Sequence, residues 1–460
     1  MLCRKPQYRN AGCDDRGERH CRRVQLRQPG YSGECCCCGR AGENHQADTG
    51  GSLKTPLTIN GLSTNGGQLV RKHSFSAWPH YAEDEVAAAM MVLQSGRVNY
   101  WTGQEGRKFE DEYAAFVGTK YAVALMNGSV ALEAALVALG IVPGDEVVVT
   151  SRTFIASASC VIMREGRPVM ADVDAVSQNI TAESIAAVLS PRTKGIVVVH
   201  LAGWPCDMDA IMNLAREKGL WVIEDCAQAN GATYKGRQVG SMGDVAAFSF
   251  CQDKIITTGG EGGMVTTNRH DLWDKIWSYK DHGKSFDAVY HREHPPGFRW
   301  LHESFGTNWR MTEMQAAIGR VQIRKLPQWL TLRKKNAAVL TDGFSGIPGL
   351  RLTIPPQEIE HAYYKYYVFV EPEALKSDWS RDRIMTALMA EGIPCGSGSC
   401  SEIYLEKAFD QSELRPRARL PVAKQLGETS LMFMVHPTLS AHDMEDVVRA
   451  TDKVMSFAIR

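Results

Sequence analysis

Three shortages frame the first reading of this 460-residue chain. Neither charge is in excess: 52 lysines and arginines face 52 aspartates and glutamates. Without a net basic field the chain is not expected to bind nucleic acid. No apolar run approaches the ~20 residues that a membrane-crossing helix needs, so no membrane partner is expected. The arginine-rich N-terminal stretch has no continuous apolar segment of the secretory kind, and the expected location is cytoplasmic. Paired cysteine motifs are also missing. Of 13 cysteines, seven lie in the first 38 residues, and the run Cys35 to Cys38 does not make the two separated pairs of a zinc site. Adjacent cysteines are poor tetrahedral ligands, so no metal is assigned there. The other six are scattered singly in apolar segments, as reduced core cysteines are.

Residues 1–72 are polar, rich in Arg, Gly and Cys, and without period. They read as a disordered leader, and no methionine stands between Met1 and Met90. The expectation is an upstream extension, with residues 1–65 dispensable for folding and activity. From residue 82 onward the chain becomes regular. Continuous apolar runs at 121–125, 146–150, 168–173, 195–201, 220–225, 245–250 and 263–267 read as strands, most of them separated by helical segments. Such runs suit a parallel sheet covered on both faces. The last two are too close for a helical crossover, so that pair is not expected to be parallel. The predicted fold is therefore α/β: a large domain over 73–325 with a mostly parallel, about seven-stranded sheet flanked by helices, and a smaller α+β domain over 326–460. Residues 268–310 read as a long loop. A helix starting near 311 should be kinked or split by Pro327.

Ligands of open α/β sheets bind beyond the carboxyl ends of the strands. Collected there are a small-residue turn opening a helix (Gly128, Ser129), Phe154, Asp225, Ser249 and Lys254. The stretch "AAFSFCQDKIITTGGEGGMVTT" is not a nucleotide phosphate loop, because its lysine precedes the glycines and a strand follows them. Gly128 and Ser129 can hold an anion at a helix N-terminus, or Asn127 or Ser129 can simply cap that helix. Asp225, ending an apolar strand, needs a cationic partner; a helix cap or a salt bridge would also account for it. Phe154 offers a flat face or a core ring. Lys254 either faces solvent or, if enclosed by strand ends, is suited to forming a Schiff base. Taken together they suit pyridoxal phosphate: phosphate at Gly128 and Ser129 with help from Ser249, ring on Phe154, ring nitrogen on Asp225, aldehyde on Lys254.

The runs "NGSVALEAALVALGI", "GDEVVVTSRTFIASA", "IEDCAQANGATYKGRQVGSMGDVAAFSF", "KIITTGGEGGMVTTN", "KDHGK" and "TNWRMTEMQAAIGRVQI" make the chain resemble the DegT/DnrJ-type sugar aminotransferases, of the aspartate-aminotransferase-like fold, over about residues 75–460. The resemblance implies that Lys254 is the covalent anchor and proton shuttle, that Asp225 pairs with the pyridine nitrogen, and that Gln228 lies near the ring. It further implies that Asn308 reaches the phosphate from the partner subunit of a homodimer. The implied reaction moves an amino group from an amino acid, glutamate by expectation, to a keto-sugar carried on a nucleotide, in amino-sugar or polysaccharide biosynthesis. Rivals are a sugar dehydratase of the same family, in whose members a histidine replaces the lysine, a cyclitol aminotransferase, and a non-catalytic regulatory protein. Cys251-Gln252, Ala202, Trp204 and "GIPCGSGSCSEIYLEKAF", the last in the C-terminal substrate region, depart from the family pattern; none touches the cofactor anchors, and the resemblance leaves the sugar unassigned.

Overall fold

The computed structural model describes residues 61–410 and 413–460. The leader expected over 1–72 lies mostly outside them. Its last residues do not: Leu62 is buried in the small-domain core, and Ser63 donates its amide to Glu391 at 2.9 Å. The packed chain therefore begins before residue 65, because Leu62 buries apolar surface that would otherwise face water.

The strands are β1 (Tyr121–Leu125), β2 (Glu146–Thr150), β3 (Arg167–Ala171), β4 (Thr193–Val199), β5 (Trp221–Asp225), β6 (Thr233–Tyr234), β7 (Arg237–Gln238), β8 (Val245–Ser249), β9 (Gly263–Thr267), β10 (Leu350–Leu352), β11 (Ile359–Glu360), β12 (Tyr366–Val370) and β13 (Ser430–Phe433). The main sheet runs β1-β9-β8-β5-β4-β2-β3. Strand β9 alone opposes the rest, pairing antiparallel with both β8 and β1. The short β8–β9 link could not hold a crossover, as the spacing foretold. A second sheet, β10-β12-β13, forms the smaller layer.

The helices are α1 (Glu83–Ser95), α2 (Glu105–Val117), α3 (Gly128–Leu139), α4 (Ala156–Met163), α5 (Ala182–Ala186), α6 (Met208–Lys218), α7 (His270–Tyr279), α8 (Phe286–Tyr290), α9 (Glu313–Phe344), α10 (Arg381–Ala390), α11 (Pro421–Thr429) and α12 (Ala441–Ala458). Helices α7 and α8 occupy the stretch read from sequence as a loop. Helix α7 buries Leu272, Ile276 and Trp277 at i, i+4 and i+5 against the sheet, a stripe hidden among polar and aromatic neighbours.

Helix α9 runs on through Pro327 rather than being split there. Its first half packs Ala316, Ile323 and Leu326 into the large core, and its second half packs Ala337, Leu340 and Phe344 into the small one. Helix α1 lies along it, and Lys325 pairs with Glu85 at 2.7 Å two residues before the proline. Packing at both ends outweighs the lost hydrogen bond. The boundary expected at 325–326 thus falls inside a helix shared by both cores.

Candidate active site

The carboxyl ends of β1, β2, β5 and β8 open on a cavity of about 780 Å³. It is lined by six of the residues singled out from sequence as cofactor contacts other than Lys254: Gly128, Ser129, Phe154, Asp225, Gln228 and Ser249, and by Lys254 itself. Asn308 is not among the lining residues; it is exposed, after an isolated bridge to Asp281.

One end of the cavity is the start of α3. Asn127 caps that helix, its side chain accepting from the Val130 amide at 3.0 Å. The amides of Gly128 and Ser129 have no protein partner among the described residues. A β-carbon on Gly128 would stand 2.7 Å from that of Ser249, so only glycine lets the Ser249 hydroxyl lie against the helix start. From the other side Gly263, first residue of β9, touches the Asn127 carbonyl so closely that no side chain fits. The glycines after Lys254 serve this approach; Gly259 and Gly260 turn the chain with φ of 82° and 117°. The result is two amides and a hydroxyl at a helix N-terminus, a fit for phosphate.

Asp225 ends β5 at 5% exposure. Its carboxylate accepts from Ser157 Oγ at 2.7 Å and from the Ala227 amide at 3.1 Å. No lysine, arginine or histidine forms an ion pair with it among the described residues. Burial pushes its pKa up, against the hydrogen bonds from Ser157 and Ala227 and the charge of Lys254. A protonated ring nitrogen would supply the missing counter-charge. Phe154 presents its ring to the cavity with 67% exposure, unusual for phenylalanine and suited to a flat partner. Gln228 is held by the Ala202 amide at 2.9 Å.

Lys254 follows β8 on a turn closed by its amide to the Cys251 carbonyl at 3.1 Å. Its Nζ donates to Tyr364 OH at 3.5 Å and lies 3.7 Å from Asp253 Oδ1. Tyr364 donates in turn to Asp253. Burial would raise the Asp253 pKa, but Lys254, Tyr364 and Lys365 hold it below the usual range. The residues present fit pyridoxal phosphate, with phosphate, ring, ring nitrogen and aldehyde ends each matched.

Sequence reasoning passed over Ser157, Asp253, Tyr364 and Lys365. The last two sit in "YYKYYVFV", read as a plain strand; a lysine interrupting an apolar run was the available signal. Elsewhere, His200, Glu224 and Cys226 bring three metal-type ligands together in the interior. Glu224, however, accepts from the amides of Gly240, Met242 and Gly243 and meets His200 Nε2 at 3.0 Å, while His200 Nδ1 accepts from the Cys206 amide. Those lone pairs are committed, and the cluster reads as a clasp between β4, β5 and the loop after β7.

Residues 79–452 match the model of the DegT/DnrJ/EryC1/StrS aminotransferase family. The chain belongs to that family. It is an aminotransferase, and enzymes of the family depend on pyridoxal phosphate. An aminotransferase structure from Psychrobacter cryohalolentis is 58% identical, with a TM-score of 0.81, covering 83% of this chain and 99% of that one. GDP-perosamine synthase of Caulobacter vibrioides is 37% identical over 77% of this chain and 92% of its own. The spore coat polysaccharide biosynthesis protein SpsC of Bacillus subtilis is 35% identical over 83% of this chain and 96% of its own.

In the aminotransferase, Ser157 is expected to matter through Asp225. A hydrogen bond to an ionised group contributes about 1.5–3 kcal/mol. Ser157→Ala is therefore expected to weaken cofactor retention about 10- to 100-fold, measured as loss of cofactor absorbance on dilution and gel filtration.

Proposed function

We propose that the protein transfers an amino group from an amino acid to a keto-sugar carried on a nucleotide, as a step in amino-sugar or polysaccharide biosynthesis. The observation that carries this reading is the single rim holding Lys254, Asp225 and the Gly128–Ser249 cradle. Behind them the cavity, at about 780 Å³, has room for a sugar beside the cofactor. The names of the GDP-perosamine and spore coat polysaccharide relatives support the sugar and its fate.

When bound, pyridoxal phosphate supplies an electron sink for the charge left on a deprotonated carbon. The chain's own residues do the rest. Gly128, Ser129 and Ser249 fix the phosphate, and Phe154 and Gln228 fix the ring plane. Asp225, buried, would pair with the ring nitrogen and favour its protonated form. Lys254 Nζ accepts the proton from the donor's Cα and returns one to the sugar carbon in the second half of the cycle. The Asp253–Tyr364 pair orients that amine. Asn308 is proposed to complete the phosphate site of a second copy in a cytoplasmic homodimer, which would explain why it is exposed and away from its own cavity.

The test is a single-turnover assay. Glutamate should convert the holoenzyme's absorbance to that of the aminated cofactor, and one member of a panel of nucleotide keto-sugars should restore it. A holoenzyme that no amino acid converts, or that only keto acids restore, would overturn the reading.

A further inference from the structure

Beside the main cavity lies a smaller one of about 220 Å³, and Asp253, Tyr364 and Lys365 line both. Arg333, Met434 and His436 close its far side under Trp78. Arg333 is 1% exposed. Its Nη1 donates to the Tyr363 and Tyr364 carbonyls, but its Nε and Nη2 have no hydrogen-bond partner among the described residues. Lys365 has no carboxylate partner among the described residues either. Its Nζ touches Met434 Sδ at 3.2 Å and stands 4.6 Å from the Tyr364 ring centroid. The buried, unpartnered Arg333 nitrogens call for an acceptor, and the half-buried Lys365 amine lines the same cavity.

The charges acting on Lys365 are Asp253, Arg333 and Lys254. Two repel it and one attracts. Burial, with those two cations, brings its pKa down to about 8. The single carboxylate, Asp253, is already engaged by Tyr364 and Lys254. An anion arriving at Lys365 would relieve this imbalance.

Position says which anion. Lys254 Nζ stands 5.0 Å from the same Tyr364 ring centroid, so the two amines share one aromatic platform. The donor's nitrogen must arrive at the group Lys254 holds. In an α-amino acid the nitrogen and the carboxylate are bonded to one carbon, so a carboxylate must come to rest close by. In a nucleotide keto-sugar the diphosphate is separated from the keto carbon by the sugar ring, which places it farther out.

We propose that Lys365, backed by Arg333, receives a carboxylate of the amino-acid donor. The proposal rests on the aminotransferase reading but is separable from it. The probe is glutarate, a dicarboxylate without an amine, titrated calorimetrically into the holoenzyme. The wild type should bind it, Lys365→Met should bind it at least about tenfold more weakly, since a charge-assisted hydrogen bond is lost, and Lys365→Arg should stay within about threefold. In the half-reaction assay the Met variant should need at least about tenfold more glutamate for half-saturation, while its aminated form reacts with the keto-sugar as the wild type does. Undiminished glutarate binding by Lys365→Met would overturn the proposal. So would no binding by the wild type, or a loss confined to nucleoside diphosphate binding. Failure of every amino acid to convert the wild type would instead sink the amino-transfer reading, with the glutarate titration still deciding Lys365.

Discussion

Lys254→Ala is expected to lower kcat by at least about 10⁴-fold, the upper range for loss of a positioned acid–base group, with the fold intact. The fold survives because the backbone at Lys254 is held independently of its side chain. The Lys254 amide donates to Cys251, and the Lys254 carbonyl accepts from Trp78 Nε1 at 2.8 Å. The side chain's one ion pair, to Asp253 at 3.7 Å, is long, and Asp253 is half exposed. Such a pair contributes under about 1 kcal/mol. Thermal melting should therefore change little while turnover disappears. A variant keeping activity within tenfold of the wild type would remove Lys254 from the chemistry.

The large sheet was legible because each parallel strand, covered on both faces, is a continuous apolar run, and the candidate side chains stand at or after the ends of β1, β2, β5 and β8. Asp225 could be singled out because it closes the apolar strand β5, and Lys254 because it stands on the turn just after β8. What stayed hidden depends on contacts between distant segments. Ser157 matters only because α4 sets its hydroxyl 2.7 Å from Asp225, 68 residues away. Tyr364 and Lys365 lie just before β12, 110 residues or more after Lys254, and nothing local to "YYKYYVFV" says that it folds back over Lys254. Pro327 misled for the same reason. Local propensity argues for a break, yet α1 and two cores keep the helix continuous through it. Helix α7 was obscured by its composition, since its buried stripe is only three residues wide. Asn308 illustrates the reverse case, a residue whose proposed partner belongs to another copy and so leaves no trace in its own chain's cavity.

Asp225→Asn is expected to move activity and apoprotein stability in opposite directions. Asparagine keeps the shape. Its oxygen can still accept from the Ala227 amide, and its new N–H group can donate to Ser157 Oγ, whose proton turns to Thr153 Oγ1 at 2.9 Å. Only the charge is lost. In the holoenzyme that charge is the proposed partner of the ring nitrogen, and removing one member of a buried pair costs about 3–5 kcal/mol. Turnover should fall roughly 10²- to 10⁴-fold by that figure. Without the cofactor the same carboxylate is buried and unpaired, and burial raises its pKa. An acid whose folded pKa lies above its unfolded value binds more protons when folded, so it contributes less stability as pH rises through that window. At neutral pH the neutral asparagine should therefore make the apoprotein more stable than the wild type. Below the ordinary aspartate range the wild-type group is protonated in both states, and the gain should vanish. Thermal melts of both apoproteins across pH 3 to 8, set beside holoenzyme turnover, read the two effects separately. An Asn variant that lost activity and apoprotein stability together would mean that Asp225 serves the fold rather than the ring nitrogen.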